Sequence, residues 1–496
     1  MKVSFSDFIQ SFENTLKSVF HEKADINTLS LERGIPPHIL KEIMVDAPLS
    51  VAIPENYGGR GGQVKECLSI LSAASYESLP LSLTFGINIA LFLEPVAKYA
   101  NELVKGDIFK RFLEKQNMGG LMITEPDYGS DALNMQTYNT KQGNTYHIKG
   151  TKHWQGLTGM ANYWLITSRH KNDNGILGRD IDFFICDESQ ENQKVIVEEL
   201  FDNLGLYMIP YGRNILNLKI DEKYKLQPES TGIKMMLDIL HRSRMQFPGM
   251  GMGFLKRMLD EALDHCKNRI VGGKNLLALD QVQHQISRIQ SAFTICSAMC
   301  FTSSLKSGIE NNLSLDNVEA NSMKTVVTDL MQESAQTVTQ LFGAQGYRIS
   351  NIAGRGIVDS RPFQIFEGSN EMLYTQISES IIKLMKRKKE LNLFQFLKDF
   401  DLTAKSVIYF KKEINFTLDI NLPQRKLVDL GKVLGRVVSA GFVIDMGESG
   451  FRKDLIDNCI ITLQQDISSL INSFNFGNEI KSIEDFQEGS SWLQFV

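Results

Sequence analysis

The spacing of hydrophobic residues predicts helices over about the first 118 positions of the chain. The segment ERGIPPHILKEIMVDAPLS gives a helix led by prolines, and a glycine-rich turn, NYGGRGG, follows it. The run KECLSILSAASYESLPLSLTFGINIALFLEPVAKYA is apolar enough for a buried pair of helices. We therefore expect an N-terminal helical domain over residues 1–118.

The pattern changes between residues 119 and 232 to short segments rich in β-branched and aromatic residues. These segments are NTYHIKG, NYWLITSR, IDFFICD, KVIVEEL and NILNLKI. Turn residues separate them, which is typical of successive strands. We expect a compact, β-barrel-like middle domain.

Helical periodicity returns after residue 231, where GFLKRMLDEALDHC carries one apolar stripe. Further long helical stretches cover about 280–310, 318–341 and 371–389. They predict a second helical domain over residues 233–390, followed by an extra helical segment over 391–496. The expected fold class is α+β with several domains.

Composition describes an ordinary globular protein, with 496 residues, 43% hydrophobic and 22% charged. The formal net charge of −5 gives no support to nucleic-acid binding. The first twenty residues carry Asp7 and Glu13 and no apolar core of a leader, so we expect neither a secretory signal nor a transit peptide. No run approaches the length needed to span a membrane.

The six cysteines are scattered, without C-x-x-C pairs or histidines at zinc-ligand spacing. Cys296 and Cys300 lie one helical turn apart between apolar residues, which favours buried thiols over a metal or redox pair. We expect a cytoplasmic protein in a reducing compartment, without a bound metal.

Three glycines in FPGMGMGFLK, at positions 249, 251 and 253, suggest a dinucleotide-binding turn at first sight. The preceding residues do not form a strand, and the third glycine of the true pattern is missing. Close helix packing explains these glycines better.

Two segments of the middle domain have residues suited to a planar or phosphorylated ligand. The turn GGLMITEPDYGSDALN can offer backbone N–H groups and hydroxyls, although it can equally join two domains. Trp154, just beyond a strand, can cover a planar cofactor or belong to the core.

Glu367 stands directly after a nearly apolar run in PFQIFEGSNEM. The residue can be a helix-start glutamate that suits the helix dipole. It can also be a general base whose pKa is raised in a dry site. This segment by itself favours the first interpretation.

Six segments in this order resemble the acyl-CoA dehydrogenase family, flavoproteins that desaturate acyl thioesters. The segments are IPENYGGRGG, MITEPDYGSD, GTKHW, DEALDHCKNRIVGGK, QLFGAQGY and IFEGSNEM. The separations of Arg244 from Arg269 and of Gln340 from Glu367 equal the family spacings. The resemblance covers about residues 30–385 and implies that residues 233–390 form a C-terminal four-helix bundle.

The resemblance implies FAD bound between the middle domain and the helical bundle, with a neighbouring subunit supplying part of its site. It implies α,β-dehydrogenation in which Glu367 removes the α proton and the β hydrogen passes as hydride to flavin N5. The implied cofactor-binding residues are Met122, Ile123, Thr124, Gly129, Ser130, Trp154, Gly156, Arg269, Gln340, Gly343, Ala344, Ser369 and Glu371. The implied substrate contacts are Ser130, His241, Arg244 and Gly368. Some members carry the base just before the arginine that Arg244 matches, but Ser243 stands there and cannot serve.

Several positions depart from the family pattern and affect the flavin contacts and the substrate mouth. The departures are Gly156 for a threonine, Gly272 for a phenylalanine, Ala344 for a glycine, His241 for an aspartate and Val358 for an arginine. Pro248 is also expected to interrupt its helix.

The leading expectation is an acyl-CoA dehydrogenase that passes electrons to a partner such as electron-transfer flavoprotein. A substrate on an acyl carrier protein, an oxidase that uses oxygen, and a non-catalytic scaffold are the alternatives. Longer family members carry a helical addition like residues 391–496 where a second dimer would dock, so we expect a homodimer.

Overall fold

The computed structural model describes residues 3–477 and 480–496 and has helices, then strands, then helices along the chain. The helices are Phe5–Lys17 (α1), Ile26–Leu29 (α2), Pro37–Ile43 (α3), Val64–Glu77 (α4), Leu79–Asn88 (α5), Glu94–Tyr99 (α6), Glu102–Lys115 (α7), Gly232–Asn268 (α8), Asp280–Lys306 (α9), Asn317–Phe342 (α10), Ile352–Ser360 (α11), Asn370–Lys388 (α12), Leu393–Lys398 (α13), Lys411–Ile414 (α14), Gln424–Glu448 (α15) and Lys453–Asn475 (α16). The strands are Gly119–Met122 (β1), Tyr138–Gln142 (β2), Thr145–Gly156 (β3), Tyr163–His170 (β4), Asp182–Asp187 (β5), Ile196–Leu200 (β6), Tyr211–Asp221 (β7), Ile270–Val271 (β8) and Lys274–Asn275 (β9). This order confirms the expected fold class.

The middle strands form one curled sheet with the order β1-β4-β2-β3-β7-β6, and β5 pairs with β4 outside that path. Strands β1 and β2 run parallel to β4, and the other pairs are antiparallel. The five predicted strands are all present. The sequence did not predict β1 and β2, because GGLM contains two glycines and YNTKQ is mostly polar.

Helix α8 continues through Pro248, so the expected interruption is wrong. Proline cannot donate the backbone bond of a helix interior, but neighbouring helices hold α8 on both sides. A Cβ on Gly253 would lie 1.9 Å from the carbonyl oxygen of Ser72 in α4, and one on Gly251 would lie 2.4 Å from Cγ2 of Val327 in α10. These glycines therefore serve close helix packing, as predicted.

The segment after residue 391 packs its long helix α15 along the bundle. A Cβ on Gly431 would lie 2.2 Å from the carbonyl oxygen of Tyr374 in α12, and one on Gly435 would lie 3.2 Å from Cγ2 of Val326 in α10. Helix α16 then covers α15 and α9, where Arg288 binds Asp466 at 2.9 Å. The extension therefore packs closely against the bundle.

One helical stretch, Leu79–Tyr99, does reach the length and apolarity of a membrane span, contrary to the expectation from sequence. Its most apolar window is entirely buried within the protein. Core helices of globular proteins have the same composition, so the stretch is weak support for a membrane segment.

Candidate active site

Glu367 lies in a short turn that follows α11 and leads into α12. Its φ of 53° is left-handed, and Gly368 follows with a φ of 93°. A left-handed non-glycine residue costs about 1–2 kcal/mol, so surrounding contacts must hold it. Arg244 in α8 does so, because its Nε and Nη2 donate to the carbonyl oxygen of Glu367 at 3.2 and 2.8 Å. Ser369 is the N-cap of α12, so Glu367 precedes the helix and does not lie in its first turn.

One carboxylate oxygen of Glu367 accepts a hydrogen bond, and the other accepts none. The hydroxyl of Ser243 donates to Oε1 at 3.0 Å, while Oε2 is shielded from solvent and has no hydrogen-bond partner. Burial raises the pKa of Glu367, although the charges of Arg244 and Lys324 and the Ser243 bond oppose that rise. An unpartnered carboxylate oxygen in a dry site can accept a proton.

Aromatic rings form a wall beside the turn that carries Glu367. The rings of Phe247, Phe363 and Phe366 have centroids 5.0 to 6.0 Å apart. Phe247 and Phe363 are fully buried, whereas Glu367 as a residue is half-buried, so the turn lies at the border of this apolar cluster.

One end of the sheet, where β3 ends and β7 begins, faces the same region. Trp154 sits at a bulge in β3 with a φ of 63°, and its indole is 53% exposed beside the ring of Phe201 at 4.6 Å. Gly156 pairs across the sheet with Tyr211. Burial raises the pKa of Tyr211, and the charge of Glu367 adds to that rise.

A Cβ on Gly156 would lie 3.0 Å from Cδ1 of Ile87 and 3.4 Å from Cε1 of Tyr211. A larger residue at position 156 would therefore be tightly packed, which agrees with the glycine that replaces the family's threonine there.

The turn after β1 is fastened by a buried ion pair. Lys152 is fully buried and donates to Oε1 of Glu125 at 3.0 Å and to the carbonyl oxygen of Ile123 at 2.9 Å. Glu125 also accepts the backbone N–H groups of Gln136 and Thr137 at 2.6 and 2.9 Å. The pair thus holds both ends of the turn.

The residues within this turn differ in exposure. Met122 is buried, Ile123 and Thr124 are half-buried, and Gly129 and Ser130 are exposed. A Cβ on Gly129 would meet nothing within 4 Å, so a ligand can approach the backbone there.

Arg269 lies far from Glu367 within one chain, and Gln340, Gly343 and Ala344 lie at the same distant end of the bundle, where the ring of Phe342 stacks on that of His265. Arg269 follows the last residue of α8, 25 positions after Arg244, which corresponds to about 37 Å along a helix. All four residues are exposed. One chain alone therefore does not bring them to the turn at Glu367.

The remaining predicted residues have mixed positions. The ring of His241 is buried, and its Nδ1 forms a hydrogen bond with the carbonyl oxygen of Leu313 at 2.7 Å. Burial lowers the pKa of His241 to about 4. The carbonyl oxygen of Gly368 accepts a bond from Lys324, and Ser369 caps α12 through the N–H of Met372. Glu371 is exposed in the first turn of α12.

Lys324 and Tyr211 are at the site although the sequence did not single them out. Lys324 is the single charged residue among apolar and small residues in ANSMKTVV, and a lysine in such a helix indicates a buried charge with a specific partner. Tyr211 gave no comparable signal, since aromatic residues are common in strands.

The residues are suited to hold FAD, the cofactor that the resemblance implies. The half-exposed indole of Trp154 offers a flat surface for a ring system, and the open backbone at Gly129 lets a ligand approach. Among residues 3–477 and 480–496, no group of three or more His, Cys, Asp and Glu side chains is placed to hold a metal ion.

Models of three acyl-CoA dehydrogenase domains match the chain: the N-terminal domain over residues 9–116, the middle domain over 120–217 and the C-terminal domain over 230–382. An acyl-CoA dehydrogenase of Bacillus subtilis is 22% identical over 348 residues, which cover 70% of this chain and 90% of that protein. The L-prolyl-[peptidyl-carrier protein] dehydrogenase of Pseudomonas fluorescens is 22% identical and covers 67% of this chain and 87% of its own length.

A solved acyl-CoA dehydrogenase of Bacillus anthracis in complex with FAD superposes with a TM-score of 0.76 at 16% identity. The match covers 96% of this chain and 88% of that one, so the fold similarity includes most of the extension. The chain belongs to the acyl-CoA dehydrogenase family. It is accordingly an oxidoreductase acting on CH–CH bonds, with FAD as its cofactor.

Proposed function

We propose that this protein dehydrogenates an acyl thioester, most simply an acyl-CoA, between its α and β carbons. Glu367 is the base that removes the α proton. The observation that carries the proposal is the solvent-shielded Oε2, which has no partner while Ser243 binds Oε1. Burial raises the pKa of this carboxylate, as a base for a carbon acid requires.

The chain's own groups orient the base and exclude water. Arg244 fixes the carbonyl of Glu367, Ser243 fixes one carboxylate oxygen, and the wall of Phe247, Phe363 and Phe366 keeps the site dry. The backbone N–H of Glu367 would donate to the thioester carbonyl and stabilise the charge that develops there. FAD, when bound, supplies the acceptor for the β hydride.

We further propose which residues hold FAD. In one subunit they are the 122–130 turn with Thr124 and Ser130, together with Trp154, Gly156, Ser369 and Glu371. Arg269, Gln340, Gly343 and Ala344 act from a neighbouring subunit, because about 37 Å of helix separates Arg269 from Arg244. The protein is then a homodimer with two shared sites.

A second candidate is an acyl or aminoacyl group carried on a carrier protein. The Pseudomonas fluorescens relative, whose name describes such a substrate, favours it. A third candidate is an acyl-CoA oxidase that uses oxygen. We also propose a cytoplasmic location, an electron-transfer flavoprotein as acceptor, and domain divisions at residues 118/119, 232/233 and 390/391.

The test is the visible spectrum of the purified protein, recorded without oxygen while saturated acyl-CoAs of rising chain length are added. We expect at least one acyl-CoA to bleach the flavin, and the Glu367→Gln variant to keep its flavin but lose the bleaching. Flavin that responds to a carrier-bound substrate and to no acyl-CoA would support the second candidate. Equal bleaching by the variant would refute Glu367 as the base.

A further inference from the structure

Two consecutive left-handed residues, Glu367 and Gly368, turn their carbonyl oxygens toward two different helices. Arg244 of α8 binds the first oxygen at 2.8 Å, and Lys324 of α10 binds the second, also at 2.8 Å. Both cations are buried. Each therefore depends on the turn for its hydrogen bonds, as the turn depends on them.

A network of side chains holds Lys324 in position. Its Nζ also donates to Oδ1 of Asn370 at 2.8 Å. The amide nitrogen of Asn370 in turn donates to Oδ1 of Asp329 at 2.7 Å and to the hydroxyl of Thr328 at 3.0 Å. Asn370 is the first residue of α12, so the network ties α10 to the start of that helix, three positions after Glu367.

We infer that Lys324 is a positioning residue for Glu367, because it binds the Gly368 carbonyl and thereby fixes the left-handed turn that aims the carboxylate. Arg244 and Lys324 hold adjacent carbonyl groups from opposite helices, so the turn cannot rotate without breaking a bond to a buried cation. The inference deepens the proposed function and rests on Glu367 being the base.

The charge of Lys324 acts on the carboxylate as well. The titratable groups near Glu367 are Arg244, Lys324 and Tyr211, and those near Lys324 are Arg244, Glu367, Asp329 and Glu371. Burial lowers the pKa of Lys324 itself to about 7, and below that pH its positive charge lowers the pKa of Glu367, in opposition to burial. Without that charge, Glu367 must bind its proton more tightly.

The test follows the carboxyl group itself and does not depend on turnover. Infrared difference spectra of the flavin-loaded protein, recorded over a pH series, report the C=O stretch of protonated Glu367. The band is assigned by its absence in Glu367→Gln. The variants are Lys324→Met, which removes donor and charge, and Lys324→Gln, which keeps a donor without charge. Lys256→Met, which removes an exposed lysine on α8, is the matched control.

We expect the titration midpoint of Glu367 to rise by about one pH unit or more in both Lys324 variants, and to stay in place in the control. In Lys324→Met the band should also broaden, because the turn is no longer fixed, whereas Lys324→Gln should keep its width. Lys324→Met leaves the Gly368 carbonyl and Oδ1 of Asn370 without this donor, whereas Lys324→Gln keeps a donor, so the second variant provides the measurement if the first does not fold.

A midpoint in both Lys324 variants equal to that of the control would overturn the inference. If only one variant folds, its midpoint decides in the same way. Failure of every acyl thioester to bleach the flavin would refute the proposed function, and it would leave this titration readable. The two failures are therefore distinguishable.

Discussion

The buried pair of Lys152 and Glu125 supports the turn after β1, and removing its cation should be costly. In Lys152→Met, the carboxylate of Glu125 stays buried, with two backbone N–H bonds and no countercharge. The carbonyl oxygen of Ile123 also loses its ammonium donor. Breaking a buried ion pair from one side costs about 3–5 kcal/mol. The two remaining N–H bonds place this case at the low end, about 3 kcal/mol.

The pKa values agree with this picture of the pair. Burial lowers the pKa of Lys152 to about 8, against the attraction of Glu125. Burial alone would raise the pKa of Glu125, but the charge of Lys152 and bonds from Gln136 and Thr137 outweigh it and lower the pKa. Both groups are therefore charged at neutral pH, and each depends on the other.

The assay is urea unfolding at a fixed excess of FAD, followed by circular dichroism, together with the FAD dissociation constant. The control is Lys141→Met, which breaks the exposed pair with Glu222 and should cost less than about 1 kcal/mol. Adding Glu125→Gln to Lys152→Met should recover part of the loss, because no buried charge remains. FAD should bind more weakly to Lys152→Met. The reasoning is wrong if Lys152→Met costs no more than Lys141→Met.

Three further predictions follow from other parts of the molecule. Gly431→Ala should destabilise the protein by about 1–3 kcal/mol in thermal unfolding, because its Cβ would overlap the Tyr374 carbonyl oxygen, while Gly477→Ala, in open space, should be neutral. Burial raises the pKa of Asp359 from 3.8 to about 6, so the folded state favours the protonated carboxyl group and the free energy of unfolding falls as the pH rises between those values. Asp359→Asn should remove up to about 3 kcal/mol of this pH dependence, measured by urea unfolding at pH 4 and pH 7. Co-expressed Glu367→Gln and Arg269→Glu chains should recover about one quarter of wild-type activity through mixed dimers with one intact site, and an absence of recovery would contradict the shared site.

Local sequence patterns were enough to predict the order of helices and strands. The periodicity around Phe254 and the strand-like segments from NTYHIKG onward depend only on neighbouring residues. The exceptions are cases where tertiary contacts decide. Helix α8 tolerates Pro248 because α4 and α10 hold it, and β1 forms despite two glycines because β4 supplies its partner. Neither partner can be read from the local segment.

In the candidate site too, neighbouring residues in the sequence reveal the base, whereas contacts between distant residues cannot be read from the sequence. Glu367 could be singled out because the apolar run before it and the glycine after it are adjacent in sequence. The contacts of Glu367 could not be predicted, because Ser243 lies 124 positions before it in the sequence and Lys324 lies 44 positions before Gly368, to which it binds. Ser243 stands where some family members carry the base, and its hydroxyl instead binds the carboxylate of Glu367.

The central claim is that Glu367 removes the α proton, and hydrogen exchange tests it most directly. The protein is incubated in D2O with an acyl-CoA whose β position is sulfur, so that no hydride can leave, and the thioester is analysed by mass spectrometry. The account predicts deuterium at the α carbon with the wild-type protein and none above background with Glu367→Gln. Equal incorporation by the two proteins would contradict it.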